Sequence, residues 1–589
     1  MKLSDYVIHR IAEAGVRDVF MLPGGGAMHL NDSLGCSDRV NLVCNLHEQA
    51  CAIAAEAYGQ FTNNLGVCMV TTGPGSVNAL TGVAAGWMDS TPMLIISGQV
   101  KRADLCHGKG VRQLGFQEID IVSMVRSITK YAVTVTDPNR IRFHIEKAMW
   151  SAKQGRPGPA WIDVPLDVQA AGIDPSKQMG FVPEDDSSPA ASDHKTLANQ
   201  IKLTLQSLKS SKKPVILVGN GVRLANSEQK IELLARRLEV PILTTWKALD
   251  LFDEQDPLFV GRPGAIAQRA ANFAQQKSDW FLMIGARMDM GQTAYMHKYL
   301  APNAVRIMVD VDEAEIRKMG TDIAIEIATG ADLFIDEMLA QLEHENLDPV
   351  QWSQWLEQCR SWKEAYPVML PEYREDKEGV SLYALVDALS DKVQSGDLVV
   401  PGSSGACSEV TMQAFRSKKG VRVLNSEGLG PMGFGISSAL GACIASGNHR
   451  TVSVDGDGGF AMNTQELETV KRLKLPIKFF VLDNGGYGSI RATQSSYFDG
   501  RFFASSPEGG LTLPDLEKIS IAYEIPFFEM VSNEEISQAL DSCWAVEGPS
   551  ICRVKVTPRQ VTAPRVRSRQ TETGSMETAP MQELWPPLD

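Results

Sequence analysis

Short apolar runs alternate with helical segments along most of the chain, and this alternation limits the possible fold more than any other feature. The runs VFML, VNLVCNL and CMVTT near the start each end in a turn that is rich in glycine or polar residues, and a helical pattern follows each turn. Strands that alternate with helices are typical of parallel sheets with helices on both faces. The sequence therefore predicts an α/β fold made of doubly wound parallel sheets.

The same pattern divides the 589 residues into three predicted α/β domains and a tail. The predicted domains and the tail are 1–170, 190–345, 370–557 and 558–589. A segment rich in Pro, Ser and Asp over 172–195 reads as the first linker. A polar stretch with three Trp residues over 345–378 reads as the second, and its Trp side chains are expected to pack on neighbouring domains.

Composition and charge exclude several classes of protein. Lys and Arg total 57 against 71 Asp and Glu, so the net charge of −14 makes nucleic acid an unexpected partner. The ten Cys form no C-x-x-C pair, which is typical of a reduced cytoplasm. The N-terminal stretch has no apolar targeting region, and no apolar run reaches the ~20 residues of a membrane span. We therefore expect a cytoplasmic protein without a membrane partner.

Two polar residues follow neighbouring predicted strands in the third domain. Asp457 follows TVSVD and Asn484 follows IKFFVLD, a separation of 484 − 457 = 27 residues that suits one strand–helix–strand crossover. Such a crossover brings both residues to the carboxyl edge of one sheet, where α/β proteins bind ligands. Oxygens of Asp457 and Asn484, with the carbonyl of Gly486, are suitable ligands for Mg²⁺. Flanking glycines would let backbone N–H groups approach a diphosphate, and these glycines are Gly456, Gly458, Gly459 and Gly488.

These motifs resemble those of the thiamine-diphosphate enzymes of the pyruvate-oxidase and acetolactate-synthase superfamily. The resemblance covers nearly the whole chain and includes further motifs in the order that the family shows. These motifs lie at 23–26, 47–49, 72–75, 116–118, 155–159, 309–312 and 428–435. The resemblance implies that thiamine diphosphate binds between the first domain of one subunit and the third domain of another. A homodimer or homotetramer would follow.

The resemblance also implies roles for four side chains. Glu48 would hydrogen-bond the aminopyrimidine ring of the cofactor, and Met432 would be the apolar wedge beneath it. Gln117 and His29 would line the active site. From the residues alone, Glu48 could equally be an acid at a helix N-terminus, Met432 a core methionine, and the other two ordinary surface residues.

The remaining implied contacts belong to two cofactors. For thiamine diphosphate they are Gly25, Gly73, Gly75, Ser403, Ser404, Gly405, Gly430, Tyr487 and the glycines beside Asp457 and Asn484. In the middle domain, Gly219, Gly285, Arg287, Asp310 and Asp332 fall where relatives touch a flavin nucleotide. The resemblance thus implies FAD with a structural role, and ADP or no nucleotide are the alternatives.

Two stretches depart from acetolactate synthases as a class. Thr493 stands where they usually have Trp, and the run RMDMG at 287–291 replaces Arg-Phe-Asp-Asp-Arg. Both changes favour a more polar acceptor pocket near residues 487–498. The run GYGSIRATQ at 486–494 resembles that of keto-sugar-acylating carboligases of branched-sugar pathways. The resemblance therefore implies a decarboxylating carboligase that adds the acyl unit of a 2-keto acid, pyruvate first, to a carbonyl acceptor such as a keto-sugar nucleotide. Acetolactate synthase itself is the alternative, and a non-catalytic cofactor-binding homologue is the second alternative.

Overall fold

The computed structural model describes residues 1–106, 108–183, 194–558, 560–570, 574 and 576–588. Three parallel six-stranded sheets with flanking helices follow one another along the chain, which confirms the predicted α/β fold. The strands are β1 (Asp18–Met21), β2 (Asn41–Cys44), β3 (Gly66–Val70), β4 (Met93–Gln99), β5 (Tyr131–Thr134), β6 (Pro159–Pro165), β7 (Pro214–Val218), β8 (Ile242–Thr244), β9 (Phe259–Gly261), β10 (Trp280–Ile284), β11 (Val305–Asp310), β12 (Ile325–Ala328), β13 (Leu398–Pro401), β14 (Arg422–Val423), β15 (Thr451–Gly456), β16 (Ile477–Asp483), β17 (Phe527–Met530) and β18 (Ser550–Lys555), with an antiparallel pair β19 (Ser568–Gln570) and β20 (Met576–Thr578) at the end.

Helices connect these strands and cover the sheets. They are α1 (Leu3–Glu13), α2 (Met28–Gly35), α3 (Glu48–Thr62), α4 (Pro74–Asn78), α5 (Leu80–Met88), α6 (Ile121–Val125), α7 (Ile141–Lys153), α8 (Leu166–Gln169), α9 (His194–Lys209), α10 (Gly221–Leu224), α11 (Glu228–Leu238), α12 (Arg269–Lys277), α13 (Glu313–Arg317), α14 (Ala331–Leu342), α15 (Ser353–Ala365), α16 (Pro371–Glu375), α17 (Leu382–Lys392), α18 (Ala406–Ala414), α19 (Gly435–Ala445), α20 (Asp457–Phe460), α21 (Glu466–Arg472), α22 (Gly488–Tyr497), α23 (Leu516–Ala522) and α24 (Ile536–Ala545). Within the described residues, no helix has the length and apolar character needed to cross a membrane.

Strand order explains where each sheet can hold a ligand. The orders are β2-β1-β3-β4-β6-β5, β12-β11-β10-β7-β8-β9 and β14-β13-β15-β16-β18-β17. In each parallel sheet, successive strands are added first on one side of the first strand (β1, β7 or β13) and then on its other side. The strand order therefore reverses beside that strand. Such a reversal opens a crevice at the carboxyl ends of the strands on either side of it.

The first and third domains pack closely through helices α3 and α19. A β-carbon on Gly441 of α19 would lie 2.1 Å from the carbonyl oxygen of Ala54 in α3, so only glycine permits this approach. Apolar residues of both domains form one continuous core. This packing fixes the first domain against the third within one chain.

The second predicted linker is folded onto the middle domain. The stretch predicted as the second linker contains α15, and its Trp352 and Trp355 donate indole N–H bonds to the carbonyls of Ser211 and Pro214, at 3.1 Å each. These two Trp residues therefore pack on the middle domain, as expected. Part of the first linker, 184–193, lies outside the described residues.

The C-terminal segment also lies on the middle domain. The N–H of Val566 donates to the carbonyl of Ala265 at 2.7 Å, and Asn272 Nδ2 donates to the carbonyl of Met581 at 2.8 Å. The segment predicted as a tail is thus held in place by backbone hydrogen bonds and buried apolar side chains.

Candidate active site

Asp457 joins two neighbouring turns at the carboxyl edge of the third sheet. It is the first residue of α20, directly after β15, and its Oδ2 accepts the N–H groups of Asn484, Gly485 and Gly486 at 3.3, 2.9 and 3.1 Å. Its Oδ1 accepts the N–H of Gly458 at 2.7 Å. Burial raises the pKa of Asp457 to about 6, although the backbone donors oppose this shift. The two turns therefore meet as the spacing predicts.

The oxygens at this edge fit a hard divalent cation. Asp457, the side chain of Asn484 and the carbonyl of Gly486 belong to these two turns, and Arg491 Nη2 donates to the Asn484 carbonyl at 2.6 Å. A carboxylate that is buried without a counter-charge is costly, and a bound cation would offset that cost. The described residues contain no group of three or more His, Cys, Asp and Glu suited to a metal, so this mixed oxygen set is the metal candidate.

Two further turns approach the same edge. A β-carbon on Gly405, which has φ +76°, would lie 2.6 Å from Ser489 Oγ, and one on Gly430 would lie 3.2 Å from the carbonyl oxygen of Ser403. Ser404 lies within the first of these turns. The hydroxyl of Ser403 is buried and has no hydrogen-bond partner among the residues that the structure describes. A buried hydroxyl among backbone turns is suited to a phosphate oxygen.

Met432 lies beside the metal candidate. A β-carbon on Gly458 would lie 2.4 Å from the ring of Tyr487 and 3.4 Å from Met432 Cε. Three of the predicted cofactor residues are therefore in one place. The other predicted glycines of these turns are Gly456, Gly459 and Gly488.

Glu48 begins α3 at the carboxyl edge of the first sheet. It is 8% exposed, and Asn78 Nδ2 donates to its Oε2 at 3.0 Å. Its other oxygen would lie 3.1 Å from a β-carbon on Gly75. The predicted Glu48 and Gly75 are thus neighbours, and Asn78 is a partner that the sequence analysis missed.

Gln117 lies on a loop that passes the same edge. A β-carbon on Gly73, which has φ +62°, would lie 2.1 Å from the carbonyl oxygen of Gln117. Gln117 itself has φ +62° and an exposed side chain. Gly25 is exposed with open space beside it. The hydrogen bond and charge of Lys2 lower the pKa of Asp32, and His29 on α2 adds a smaller effect. The structure thus brings Gln117 and Gly73 together, whereas the described contacts of His29 do not connect it with them.

The two groups of residues have separate hydrogen bonds within one chain. Those of Glu48 stay in the first domain and those of Asp457 stay in the third. The neighbouring Gln49 bridges the domains, since its Oε1 accepts from Asn463 Nδ2 at 3.1 Å. We call the Glu48 group and the Asp457 group the two half-sites.

A separate cavity of about 340 Å³ follows the carboxyl edge of the middle sheet. The predicted residues Gly285, Arg287, Asp310 and Asp332 line it. Gly219 lies directly behind, because its β-carbon would be 2.1 Å from the carbonyl oxygen of Gly285. The five middle-domain residues implied by the resemblance therefore lie around one cavity.

The chemistry of this cavity fits a nucleotide. Asp310 ends β11, and burial raises its pKa to about 6. The hydroxyl of Thr329 is buried there without a hydrogen-bond partner in the described part of the chain. Acidic and hydroxyl groups at the carboxyl ends of an α/β sheet are suited to the ribose of a nucleotide.

The first and third domains also contribute to the cavity, which the sequence analysis missed. Arg156 Nη1 donates to Asp312 Oδ2 at 3.1 Å and Glu315 Oε1 at 2.6 Å, and its Nε donates to Ser90 Oγ at 2.9 Å. Glu427 reaches the cavity from the third domain. Arg156 belongs to the motif at 155–159, and Glu427 directly precedes the motif at 428–435. Those positions in the sequence were the signal that could have identified them.

Helix α22 carries the residues expected to form the acceptor pocket. It has no buried residue, and Ser489 and Thr493 are exposed. Gln494 is engaged elsewhere, since its Nε2 donates to the carbonyl of Phe503 at 3.0 Å and its Oε1 accepts from Ser505 Oγ at 2.5 Å. Gln494 therefore holds a neighbouring loop, while Ser489 and Thr493 are exposed and the Thr493 hydroxyl donates to the Ser489 carbonyl at 3.2 Å.

Comparison with protein families matches three successive models. They are described as thiamine pyrophosphate enzyme N-terminal TPP binding domain at residues 1–124, central domain at 201–338, and C-terminal TPP binding domain at 403–554. Full-length relatives include the acetolactate synthase large subunit of Cyanidium caldarium, 31% identical over 92% of this chain and 91% of that protein. The acetolactate synthase isozyme 2 large subunit of Escherichia coli is 31% identical over 94% and 96%, and the probable acetolactate synthase large subunit of Methanococcus aeolicus is 31% identical over 95% and 92%.

Proposed function

Because this chain belongs to the thiamine-diphosphate-dependent enzymes of the acetolactate synthase type, we propose that it joins two 2-keto acids with loss of carbon dioxide. Pyruvate is the proposed donor, and a second 2-keto acid is the proposed acceptor. The observation that carries this proposal is full-length similarity to acetolactate synthase large subunits together with the geometry of both half-sites. The intact Glu48 and Asp457 contacts oppose a non-catalytic role.

The residues of this chain supply binding, orientation and proton transfer. Asp457, Asn484 and Gly486 would hold Mg²⁺, and Ser403 with the adjoining glycine turns would hold the diphosphate. Glu48 would exchange a proton at its carboxyl oxygens, and its hydrogen bond from Asn78 fixes their position. When bound, thiamine diphosphate supplies the nucleophilic carbon and the electron sink for decarboxylation. The wedge role of Met432 and the substrate contact of Gln117 stay predictions.

FAD is the proposed ligand of the middle cavity. Asp310 and Asp332 would accept hydrogen bonds from a ribose, and the close turns at Gly219 and Gly285 would let backbone groups approach a diphosphate. All ten cysteines are free thiols, which supports the proposed cytoplasmic compartment.

A keto-sugar nucleotide is the second candidate acceptor, because α22 exposes hydroxyls at Ser489 and Thr493 beside the third-domain half-site. Exposed hydroxyls can pair with the hydroxyls of a sugar, whereas a bare keto acid leaves them without that partner.

Product analysis separates the two acceptors. The protein is incubated with pyruvate, thiamine diphosphate, Mg²⁺ and FAD, with and without a 4-keto-6-deoxy sugar nucleotide, and products are identified by mass spectrometry. Acetolactate from pyruvate alone supports the proposal, and an acyl-sugar adduct formed in preference to acetolactate supports the second candidate. Glu48→Gln serves as the matched control, since it should abolish either product while keeping the size and shape of the side chain.

A second copy of this chain is the proposed partner that completes the active site. Phe116, next to Gln117, is 86% exposed, and Phe503, near α22, is 71% exposed. Other large apolar side chains exposed near the half-sites are Val111, Leu114, Tyr497 and Phe498. Exposed apolar surface of this kind is typical of an interface. We therefore propose a homodimer or homotetramer in which the first-domain half-site of one subunit meets the third-domain half-site of another.

A further inference from the structure

The middle cavity extends along five neighbouring strands. Thr329 and Asp332 line it after β12, and Thr245 and Lys247 line it after β8. Adjacent strands lie about 4.8 Å apart, so the four steps from β12 to β8 span roughly 19 Å. A cavity of this length suits a ligand with a ring system at each end.

Glu427 of the third domain lies beside the turns that follow β8 and β10 along the cavity. Its N–H donates to Asp89 Oδ2 at 3.2 Å, and Lys247 Nζ donates to the same oxygen at 3.1 Å. The carboxyl of Glu427 lines the cavity and makes no hydrogen bond or ion pair with any residue that the structure describes. This side chain is therefore available to a ligand.

The cations around Glu427 are already engaged. Lys247 binds Asp89 and a backbone carbonyl of the third domain, and Arg287 binds Asp289 at 3.2 Å and a backbone carbonyl of the first domain. Burial, then Asp289 and Asp89, raise the pKa of Glu427 to about 8, against the opposing effect of Arg287 and Lys247. The carboxyl is thus largely protonated at neutral pH and can donate a hydrogen bond.

We propose that Glu427 donates a hydrogen bond from its neutral carboxyl to the second ring system of a dinucleotide in this cavity, the isoalloxazine ring of FAD. The inference rests on the proposed FAD site, and it adds a residue that distinguishes FAD from ADP. The adenosine end would lie near Asp310 and Asp332, towards the β12 end of the cavity. The ring carbonyls and nitrogens of flavin accept hydrogen bonds, so a protonated acid suits them better than a carboxylate does.

The first test measures the affinity of the full-length protein for FAD and for ADP between pH 6 and pH 9, using flavin fluorescence and calorimetry. If the bond needs the proton, the Kd for FAD rises about tenfold between pH 7 and pH 9, because one proton is lost with a pKa near 8. The Kd for ADP stays constant, since ADP lacks the second ring. An equal rise for ADP would overturn the assignment.

Two variants sharpen the test. Glu427→Gln keeps a donor at every pH, so its FAD affinity should match the parent at pH 7 and stay constant up to pH 9. Glu427→Ala lacks the donor, and its FAD affinity should be about tenfold weaker at pH 7 with no pH dependence. Circular dichroism and thiamine diphosphate binding check that both variants are folded.

The outcomes separate this inference from the function on which it rests. If the parent binds FAD without pH dependence, the role of Glu427 is overturned and the FAD site stands. The same follows if Glu427→Gln shows the same pH dependence as the parent. Absence of FAD binding at every pH overturns the proposed cofactor and this inference with it. A shift of the flavin absorption bands with pH in the parent but not in Glu427→Gln would support the hydrogen bond directly.

Discussion

The two half-sites and the middle cavity are built on the same kind of sheet edge but differ in completeness. The half-sites are open, with exposed side chains at Gln117 and along α22. The middle cavity is enclosed by residues from all three domains of a single chain, among them Arg156, Asp310 and Glu427. A ligand in the cavity needs one chain, whereas chemistry that needs both half-sites requires them to meet.

This difference shows how one kind of fold can separate the catalytic half-sites from a nucleotide cavity. The α3–α19 packing fixes the first domain against the third, while the hydrogen bonds of Glu48 and Asp457 stay within their own domains. The middle domain instead closes against its own neighbours through Arg156 and Lys247. We therefore expect subunit association to control catalysis and to leave nucleotide binding in the cavity unchanged.

Mixing two inactive variants gives the largest expected effect. Glu48→Gln and Asp457→Asn should each lower kcat by about 10²–10⁴, because each removes a proton-transfer or metal-binding carboxylate. If the active site joins half-sites from two chains, a mixed dimer has one site with both variants and one site with neither. Random mixing should then restore about a quarter of the parent activity, measured as acetolactate formation.

The mixing experiment has a direct control. Each variant incubated alone under the same exchange conditions should stay inactive. Failure of the mixture to recover activity, with mixed dimers shown by native mass spectrometry, would place both half-sites in one chain. FAD affinity should be unchanged in both variants, since neither residue lines the cavity.

Gly73→Ala tests the first-domain half-site. Gly73 has φ +62° and its new β-carbon would lie 2.1 Å from a backbone oxygen of Gln117, so we expect a loss of about 4 kcal/mol of unfolding free energy. Unfolding in denaturant measures this loss of unfolding free energy. Gly25→Ala is the matched control, because a β-carbon there meets no atom within 4 Å. Equal stability of the two variants would contradict the described turn.

Asp310→Asn tests the middle cavity through pH. The pKa of Asp310 is raised from 3.8 to about 6 by burial, so its ionised form destabilises the fold as pH rises from about 4 to 6 and the cost is complete above that range. Replacing it by Asn should therefore stabilise the unliganded protein by up to about 3 kcal/mol at pH 7.5 and by little at pH 4. Thermal unfolding at both pH values checks this. A larger gain at pH 4 than at pH 7.5 would contradict the sign.

The sequence predicted local features better than distant contacts. Asp457 and Asn484 were placed together because one crossover separates them, and the strand pattern identifies that crossover. The contact of Gly73 with Gln117 spans 44 positions, 117 − 73, and no periodicity encodes it. The C-terminal segment was predicted as a tail, yet it contains the pair β19 and β20 and buries Val566, Met581 and Leu584 against the middle domain.

The middle cavity also depends on contacts that sequence patterns do not predict. The residues of its own domain were implied by the family resemblance, since a glycine or an acid after a buried strand is by itself ordinary turn chemistry. Arg156 and Glu427 reach it from other domains, so their positions depend on how the domains pack. A residue whose role depends on domain packing is visible only in the structure.

Asn78→Ala is expected to have the smallest effect and to separate the half-sites from the cavity most cleanly. Asn78 Nδ2 donates to Glu48 Oε2 at 3.0 Å, and loss of one such bond to a charged group costs about 1.5 kcal/mol, or about tenfold in kcat. As a positioning residue, Asn78 should leave KM for pyruvate and the Kd for FAD unchanged. Thr81→Val is the control. Thr81 Oγ1 on α5 accepts from Nε2 of Gln49, which follows Glu48 on α3, at 3.3 Å, and it makes no hydrogen bond with Glu48. A fall in FAD affinity, or an equal loss of kcat in Thr81→Val, would show that the first domain moves as a unit and that the half-site and the cavity are coupled.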